Sequence, residues 1–204
     1  MLIKTPAVTH SKCRGAGMEN SVIRQKYGVG RYLILFFILA FFGWLFESGF
    51  ITLRIGRIYN SGFLSMPICP IYAVAMLFAY LLLGTPDQPK GLLKRVENTP
   101  LRYTLYLLAG FIIPSAVELV VGNLFERGTG LTLWTYRGIP LSLKYVSAPV
   151  SLVWSTLLFF FMKKCFLPLK SKVEKIPRSA VTIVSIISIL FLSVDLFQKF
   201  SLIF

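Results

Sequence analysis

Two glutamates lie within otherwise apolar stretches of this sequence, and they are the residues best placed to do chemistry. Glu47 lies within residues 32–53 and Glu118 within residues 103–125, and neither stretch holds another charged side chain. A charge at the centre of a bilayer costs several kcal/mol, so a carboxylate retained there usually serves a function. Such carboxylates bind cations, carry protons or tie helices together.

The two glutamates are predicted to lie at the same depth. Each is about sixteen residues into its stretch, which at about 1.5 Å per residue places both about 22 Å along an outward-running helix. Arg54 follows Glu47 by seven residues and Glu126 follows Glu118 by eight, close to the same helical faces. The pattern predicts a stripe of polar side chains that runs along these helices towards the outer membrane surface. The alternatives are that the glutamates only tie helices together and that Arg54 and Glu126 mark the membrane boundary.

Two connecting segments carry further candidate binding residues. Asn60 and Tyr72 flank a turn with Pro67 and Pro70, whose missing N–H donors leave carbonyls free to face a cavity. Stiff turn geometry alone would also explain that turn. The segment 126–144 carries Trp134 and Tyr136, which either form an interfacial aromatic belt or close a lid over a site. The residues expected to bind a substrate are therefore Glu47, Arg54, Asn60, Tyr72, Glu118, Glu126, Trp134 and Tyr136.

Several enzyme classes are excluded by composition. His10 is the only histidine, so a histidine zinc site or a Ser-His-Asp triad within the membrane is ruled out. The three cysteines, Cys13, Cys69 and Cys165, show no CxxC pairing. No GxxxxGK[ST] occurs, so the chain carries no phosphate-binding loop of that type. We expect no metal, no cofactor and no recognisable catalytic motif.

The elements that position these residues are predicted to be membrane helices. Hydrophobic residues form 55% of the 204-residue chain and charged residues only 15%, which indicates a bilayer environment. A span needs about 20 apolar residues. Five stretches qualify, at residues 32–53, 63–84, 103–125, 145–162 and 180–197. We predict an all-α membrane protein with a bundle of about five transmembrane helices, arranged as a leader over 1–31 and a single transmembrane domain over 32–204.

Basic side chains predict the orientation of the bundle. Lys and Arg number six, four and six in the leader, residues 85–102 and residues 163–179, against two, three and one in the other connections and the tail. Positive loops are retained in the cytoplasm, so we predict the N-terminus inside and the C-terminus outside. Membrane topology therefore explains the excess of Lys and Arg. We expect membrane lipids, and no nucleic acid, as partners. Translation starts at Met1 or at Met18.

The sequence resembles the bacterial Putative ABC-transporter type IV family, also called CmpB-like, through three groups of motifs. They are Gly43-Trp44-Leu45-Phe46-Glu47; Gly62-Phe63-Leu64 with Pro67, Pro70, Ile71 and Tyr72; and Glu118, Gly122 and Glu126, followed by Leu133-Trp134-Thr135-Tyr136. The resemblance covers about residues 36–160. It implies a permease-like subunit of the bacterial cytoplasmic membrane that works with a separate ATPase. The motif residues given a structural role are Gly43, Trp44, Gly62, Phe63, Pro67, Pro70 and Gly122.

Three functions remain in competition. The first is a membrane transport component whose outer polar cavity binds a cation, a proton or a cationic substrate at Glu47 and Glu118. The second is a non-transporting accessory or sensor protein in which the carboxylates specify helix packing. The third is a membrane enzyme that modifies a lipid or envelope intermediate, with the carboxylates as acid and base. The small chain, 23.0 kDa, favours self-association or a partner subunit.

Overall fold

The computed structural model describes the backbone of residues 13–202 and the side chains of residues 28–202. Within this part of the chain there are six α-helices and no β-strand, which confirms the all-α prediction. The helices are α1 (Cys13–Ile55), α2 (Pro70–Leu83), α3 (Thr99–Thr129), α4 (Ala148–Lys164), α5 (Phe166–Glu174) and α6 (Arg178–Ser201). Helix α1 begins inside the predicted leader, whose first twelve residues, with His10, lie outside the described part.

Helix α2 is shorter than the apolar stretch that predicted it. We expected a span over residues 63–84, but the helix begins only at Pro70, and residues before it form a turn. Pro67 and Pro70 lack an N–H donor and disfavour helical backbone at the residue before each, so the helix cannot extend backwards through them. Pro70 is tolerated at the first helical position, where its N–H would be unpaired anyway. At 14 residues, α2 is about 21 Å long, less than the hydrocarbon core.

Helix α3 is the second longest helix of the described residues, after α1. Local sequence explains where it begins and ends. The Asn98 side chain accepts a hydrogen bond from the Leu101 N–H at 3.1 Å and caps the N-terminus. Gly130 ends the helix in the left-handed conformation, with φ at 71°. Pro114 lies inside the helix between these ends. The helix exceeds the predicted stretch 103–125 by four residues at each end.

Three helices are long and apolar enough to cross a membrane, by length and composition. They are Gly28–Ile55 within α1, together with α3 and α6. Helices α4 and α5, bent by 49° at Cys165, add a fourth if the pair forms one span. The described residues therefore give three or four spans where five were predicted. The short α2 accounts for one missing span, and the bent α4–α5 pair accounts for the other if it is not counted.

The helices pack around one apolar core. Helix α1 contacts α2, α5 and α6, and α3 contacts both α2 and α4. The Tyr106 hydroxyl, fully buried on α3, donates to the Gly84 carbonyl at the end of α2 at 3.2 Å. Each helix from α1 to α5 contributes buried side chains to this core, among them Leu35, Leu39, Ala73, Tyr80, Tyr106, Phe159, Met162 and Phe166.

Candidate functional site

Helices α1 and α2 approach each other closely at Gly43. A Cβ added to Gly43 would lie 2.6 Å from the Cβ of Tyr72, so any side chain at this position would push the helices apart. Glycine therefore allows the Tyr72 side chain to lie against the backbone of α1. Glu47 lies one helical turn further along α1, on the same face as Gly43.

The Glu47 carboxylate is surrounded by hydrogen-bond donors. The Cys69 thiol donates to its Oε2 at 3.3 Å, and the side chains of Ser61 and Tyr72 are its other polar neighbours. Cys69 and Ser61 are buried, whereas Glu47 and Tyr72 are half-buried. The donors come from the turn before α2 and from its first helical turn, so the shape of that turn decides what Glu47 can contact.

The turn before α2 is held on one side by α1. The Trp44 indole donates to the Asn60 side-chain oxygen at 2.7 Å, and the Ser61 N–H donates to the Ser48 hydroxyl at 3.0 Å. Gly62 adopts a φ of 105°, a conformation that L side chains rarely take, and it faces the Cys69 sulfur. The motif Gly43-Trp44 and Gly62 thus help to hold the same turn in place.

Helix α6 holds the other side of the same turn through Asp195. Its two carboxylate oxygens accept the N–H groups of Ser65 at 3.2 Å and Met66 at 2.9 Å, and the residue is only 5% exposed. Asp195 lies near the end of the last apolar stretch, residues 180–197, within helix α6. Its partners lie about 130 residues earlier in the chain, a contact that no local pattern reveals.

Glu118 and Tyr136 complete the surroundings of Glu47. Glu118 on α3 interacts electrostatically with Glu47, and Tyr136, from the segment after α3, interacts with both carboxylates. Tyr72 interacts with the same three groups. We call these four residues with Cys69 the carboxylate cluster. Three helices, a turn and a loop thus bring together residues that are up to 89 positions apart in the sequence.

A second polar group lies at the end of α3. Glu126 forms an ion pair with Lys144 and accepts a hydrogen bond from the Tyr145 hydroxyl. The Tyr145 ring is fully buried against Gly122, where an added Cβ would lie 2.6 Å from the ring. The Trp134 indole donates to the Tyr145 carbonyl at 3.1 Å. These contacts fasten the segment 130–147 to α3 and so set the position of Tyr136.

The predicted binding residues therefore fall into three places. Glu47, Tyr72, Glu118 and Tyr136 share one cluster; Glu126 and Trp134 support the loop beside it; and Asn60 holds the turn through Trp44. Arg54 is exposed at the end of α1 and lines an apolar groove instead. Sequence reasoning gave no role to Cys69, Ser61, Asp195, Lys144 or Tyr145.

The motif residues predicted to be structural also have assignable contacts. The Phe63 ring packs against Phe125 and Phe200 with ring centroids 5.2 and 5.9 Å apart, which joins the turn to α3 and α6.

Among the side chains of residues 28–202, no group of three His, Cys, Asp or Glu residues has a geometry that could hold a metal ion.

A model of the family described as Putative ABC-transporter type IV matches residues 34–200. The chain belongs to this family. Membership in the Putative ABC-transporter type IV family confirms the resemblance predicted from the motifs and extends it through α6, so that Asp195 falls within the matched range. Together with its apolar helices, it makes the chain a multi-pass membrane component of the ABC-transporter type. No curated protein and no solved structure matches the chain.

Proposed function

We propose that this protein is a permease-like membrane transport component in which the carboxylate cluster binds a cation or a proton. One observation carries the proposal: Glu47 and Glu118 come from different helices, interact with each other, and are flanked by Tyr72 and Tyr136. None of the ion pairs found among residues 28–202 involves either glutamate. Their charge is left for a ligand to neutralise.

The chemistry of the cluster favours a small positive ligand. Two partly buried carboxylates that interact repel each other when both are charged, and binding of a proton or cation removes that repulsion. Tyrosine hydroxyl oxygens are additional neutral acceptors for a cation, and their protons can stabilise a carboxylate when the cation leaves. An organic ammonium group satisfies the same requirements, so a cationic substrate remains within the proposal.

The proposed topology has five crossings, with the N-terminus inside and the C-terminus outside a bacterial cytoplasmic membrane. It rests on the distribution of Lys and Arg along the chain and on the three long apolar helices. In this arrangement α2 and the turn before it together form the second crossing, and the cluster lies in the outer half of the membrane. A separate ATPase subunit or a second copy of the chain completes the transporter.

Cation binding is tested first by thermal unfolding of the purified protein in detergent. A ligand that binds only the folded state raises the midpoint by an amount that grows with its concentration. We expect added Na⁺, K⁺ or a small alkylammonium ion to raise the midpoint of the wild type. Glu47→Gln and Glu118→Gln should lose this response, while Glu97→Gln, which alters an exposed carboxylate between α2 and α3, should retain it.

Transport is tested with the same variants in proteoliposomes that enclose a pH-sensitive dye, with the active cation applied as a gradient across the membrane. The wild type and Glu97→Gln should move protons or the cation, and the two cluster variants should not. If the wild type, Glu47→Gln and Glu118→Gln respond alike in both assays, the proposal is wrong.

A second candidate function is that of a non-transporting accessory protein. It is favoured by the Cys69 thiol, which already donates to Glu47 within the protein, and by the neighbouring side chains of Ser61 and Tyr72. In that case the carboxylates fix helix packing, and Glu47→Gln lowers stability without changing any cation response. Unfolding data for the variants in the absence of added cation distinguish the two functions.

A further inference from the structure

An apolar groove runs along the outer half of α1, separate from the carboxylate cluster. It lies between α1, the start of α4 and residues 138–140, and encloses about 660 Å³. That volume is within the range of sites that hold small molecules. Large apolar side chains form its walls, including Phe46, Phe50, Leu53, Ile139, Val153 and Trp154.

The groove is open at Gly49, near the C-terminal end of α1. A Cβ added to Gly49 would have no atom within 4 Å, so the space above this residue is open. Phe46, Phe50 and Leu53 on the same helix are between 43% and 87% exposed, so they face this space and do not fill it. The walls are therefore available to an apolar chain.

One end of the groove is cationic. Arg54 is the only charged residue that lines it, and the side chain is exposed. None of the ion pairs formed among residues 28–202 involves Arg54. The apolar part of α1 ends at Ile55, so in either orientation of the protein Arg54 lies at a membrane interface, where lipid headgroups are found.

We propose that this groove binds one amphiphile, with an acyl chain along Gly49 and an anionic headgroup at Arg54. Charge complementarity selects the headgroup, because the guanidinium pairs with no carboxylate among the side chains of residues 28–202 and matches a phosphate in geometry and charge. An ordinary annular lipid would occupy the apolar walls without discrimination between headgroups.

The site adjoins the carboxylate cluster through a single side chain. The Trp154 ring contacts Phe50 in the groove and Tyr72 in the cluster, with ring centroids 6.4 and 5.2 Å apart. Lipid binding in the groove does not depend on cation binding in the cluster, so the two proposals can fail separately.

The test uses tryptophan fluorescence, because Trp154 lines the groove. The protein is reconstituted into phosphatidylcholine vesicles with increasing fractions of brominated-chain phosphatidylglycerol or, in parallel, brominated-chain phosphatidylcholine. Bromine quenches a tryptophan that it contacts. For the wild type we expect half-maximal quenching at a fraction of brominated phosphatidylglycerol about threefold lower than that of brominated phosphatidylcholine. This is the preference that one exposed charge pair provides. Trp154→Phe should remove the component of the quenching that shows this preference.

Two variants separate the acyl chain from the headgroup. Arg54→Gln should keep the quenching but respond equally to both lipids. Gly49→Leu fills the groove without a clash and should reduce quenching by both, whereas Gly128→Leu, at an equally open glycine on α3 outside the groove, should behave as the wild type. Glu47→Gln should leave the lipid preference unchanged even if it abolishes the cation response.

Two results would overturn the proposal. Equal quenching of the wild type by the two lipids would mean annular lipid only. A Gly49→Leu protein with wild-type quenching, and with wild-type helix content by circular dichroism, would mean that the groove holds no acyl chain.

Discussion

Two glycines determine how closely aromatic side chains approach the helix backbones near the carboxylate cluster. Gly43 accommodates Tyr72, and Gly122 accommodates the Tyr145 ring. In both cases the contact involves the part of the aromatic side chain nearest its own backbone, which cannot move without moving the element that carries it. The positions of Glu47 on α1 and of Glu118 on α3 therefore depend on Gly43 and Gly122, which have no side chains.

Replacing Gly43 by alanine should destabilise the protein by about 1–3 kcal/mol, because the added methyl group overpacks the contact with Tyr72. Gly49→Ala is the matched control on the same helix, since its methyl group meets nothing within 4 Å and alanine is the better helix former. Thermal or denaturant unfolding in detergent measures both. Equal stability of the two variants would mean that α1 and α2 are not in close contact at Gly43.

At the scale of elements, the segment between α3 and α4 is tied down by an ion pair at its end. The hydrogen bond from Lys144 to Glu126, with the nearby Tyr145 hydroxyl, raises the pKa of the Lys144 ammonium above its ordinary value of 10.5. A raised pKa means that the folded state holds this proton more tightly than the unfolded state. The stabilisation is complete below about pH 10.5 and is lost as the pH rises through the folded-state pKa.

Lys144→Gln should therefore lower the unfolding midpoint near neutral pH. Above about pH 10.5, the midpoint of this variant should fall less steeply with pH than the midpoint of the wild type. Unfolding curves recorded between pH 7 and pH 12 measure the effect. Lys94→Gln, at an exposed lysine between α2 and α3, should follow the wild-type curve. A Lys144→Gln curve that runs parallel to the wild type at all pH values would exclude a contribution from this ion pair.

Helix α6 contributes to the site through one carboxylate. Asp195→Ala should leave the amides of Ser65 and Met66 without their acceptor and should destabilise the protein by at most about 1–3 kcal/mol, because these amides are only partly buried. Because Cys69 ends the same turn, its buried thiol should also react faster with a small alkylating reagent. The rate is measured in a chain whose other cysteines, Cys13 and Cys165, are serine.

The control for this experiment is Glu97→Ala, which removes an exposed carboxylate far from the turn and should leave the Cys69 rate unchanged. A wild-type alkylation rate in Asp195→Ala, combined with lowered stability, would show that Asp195 supports α6 without shaping the turn.

At the scale of the whole molecule, most of the surface of the long helices is apolar and unburied. Only 17% of the apolar window of α3 is buried inside the protein, and the same share holds for α6. In water, such exposure would oppose a monomeric fold, whereas in a bilayer it is the surface that contacts lipid. The Lys and Arg residues all lie outside the five apolar stretches of the sequence.

The proposed topology predicts how cysteines introduced into a cysteine-free chain react with a membrane-impermeant reagent in intact cells. Thr132→Cys should be labelled from outside, while Glu97→Cys and Lys172→Cys should be labelled only after the cells are permeabilised. All three positions are exposed in the structure. Labelling of Glu97→Cys from outside, with Thr132→Cys labelled only after permeabilisation, would mean that α2 and its preceding turn do not complete a crossing.

The long helices could be predicted from sequence because an unbroken apolar run in a bilayer must satisfy its own backbone hydrogen bonds. The association of Glu47 with Glu118 followed from their equal distance along two parallel stretches. The start of α2 was misplaced because an apolar composition hid the effect of Pro67 and Pro70. The contacts of Asp195 and of Lys144 depend on which distant backbone each meets, and no local periodicity specifies that.

Pro114 lies in α3 one helical turn before Glu118. Because proline has no N–H, the Gly110 carbonyl lacks its usual donor, and that position is where bending α3 disturbs the fewest backbone hydrogen bonds. The half of the helix before Pro114 is held at Gly110 by Ser155 and Leu158 of α4, whereas the half after it carries Glu118 and Glu126. Bending of α3 at Pro114 would therefore move Glu118 relative to Glu47, and it would cost the contacts that Ser115, Gly122 and Phe125 make with neighbouring elements.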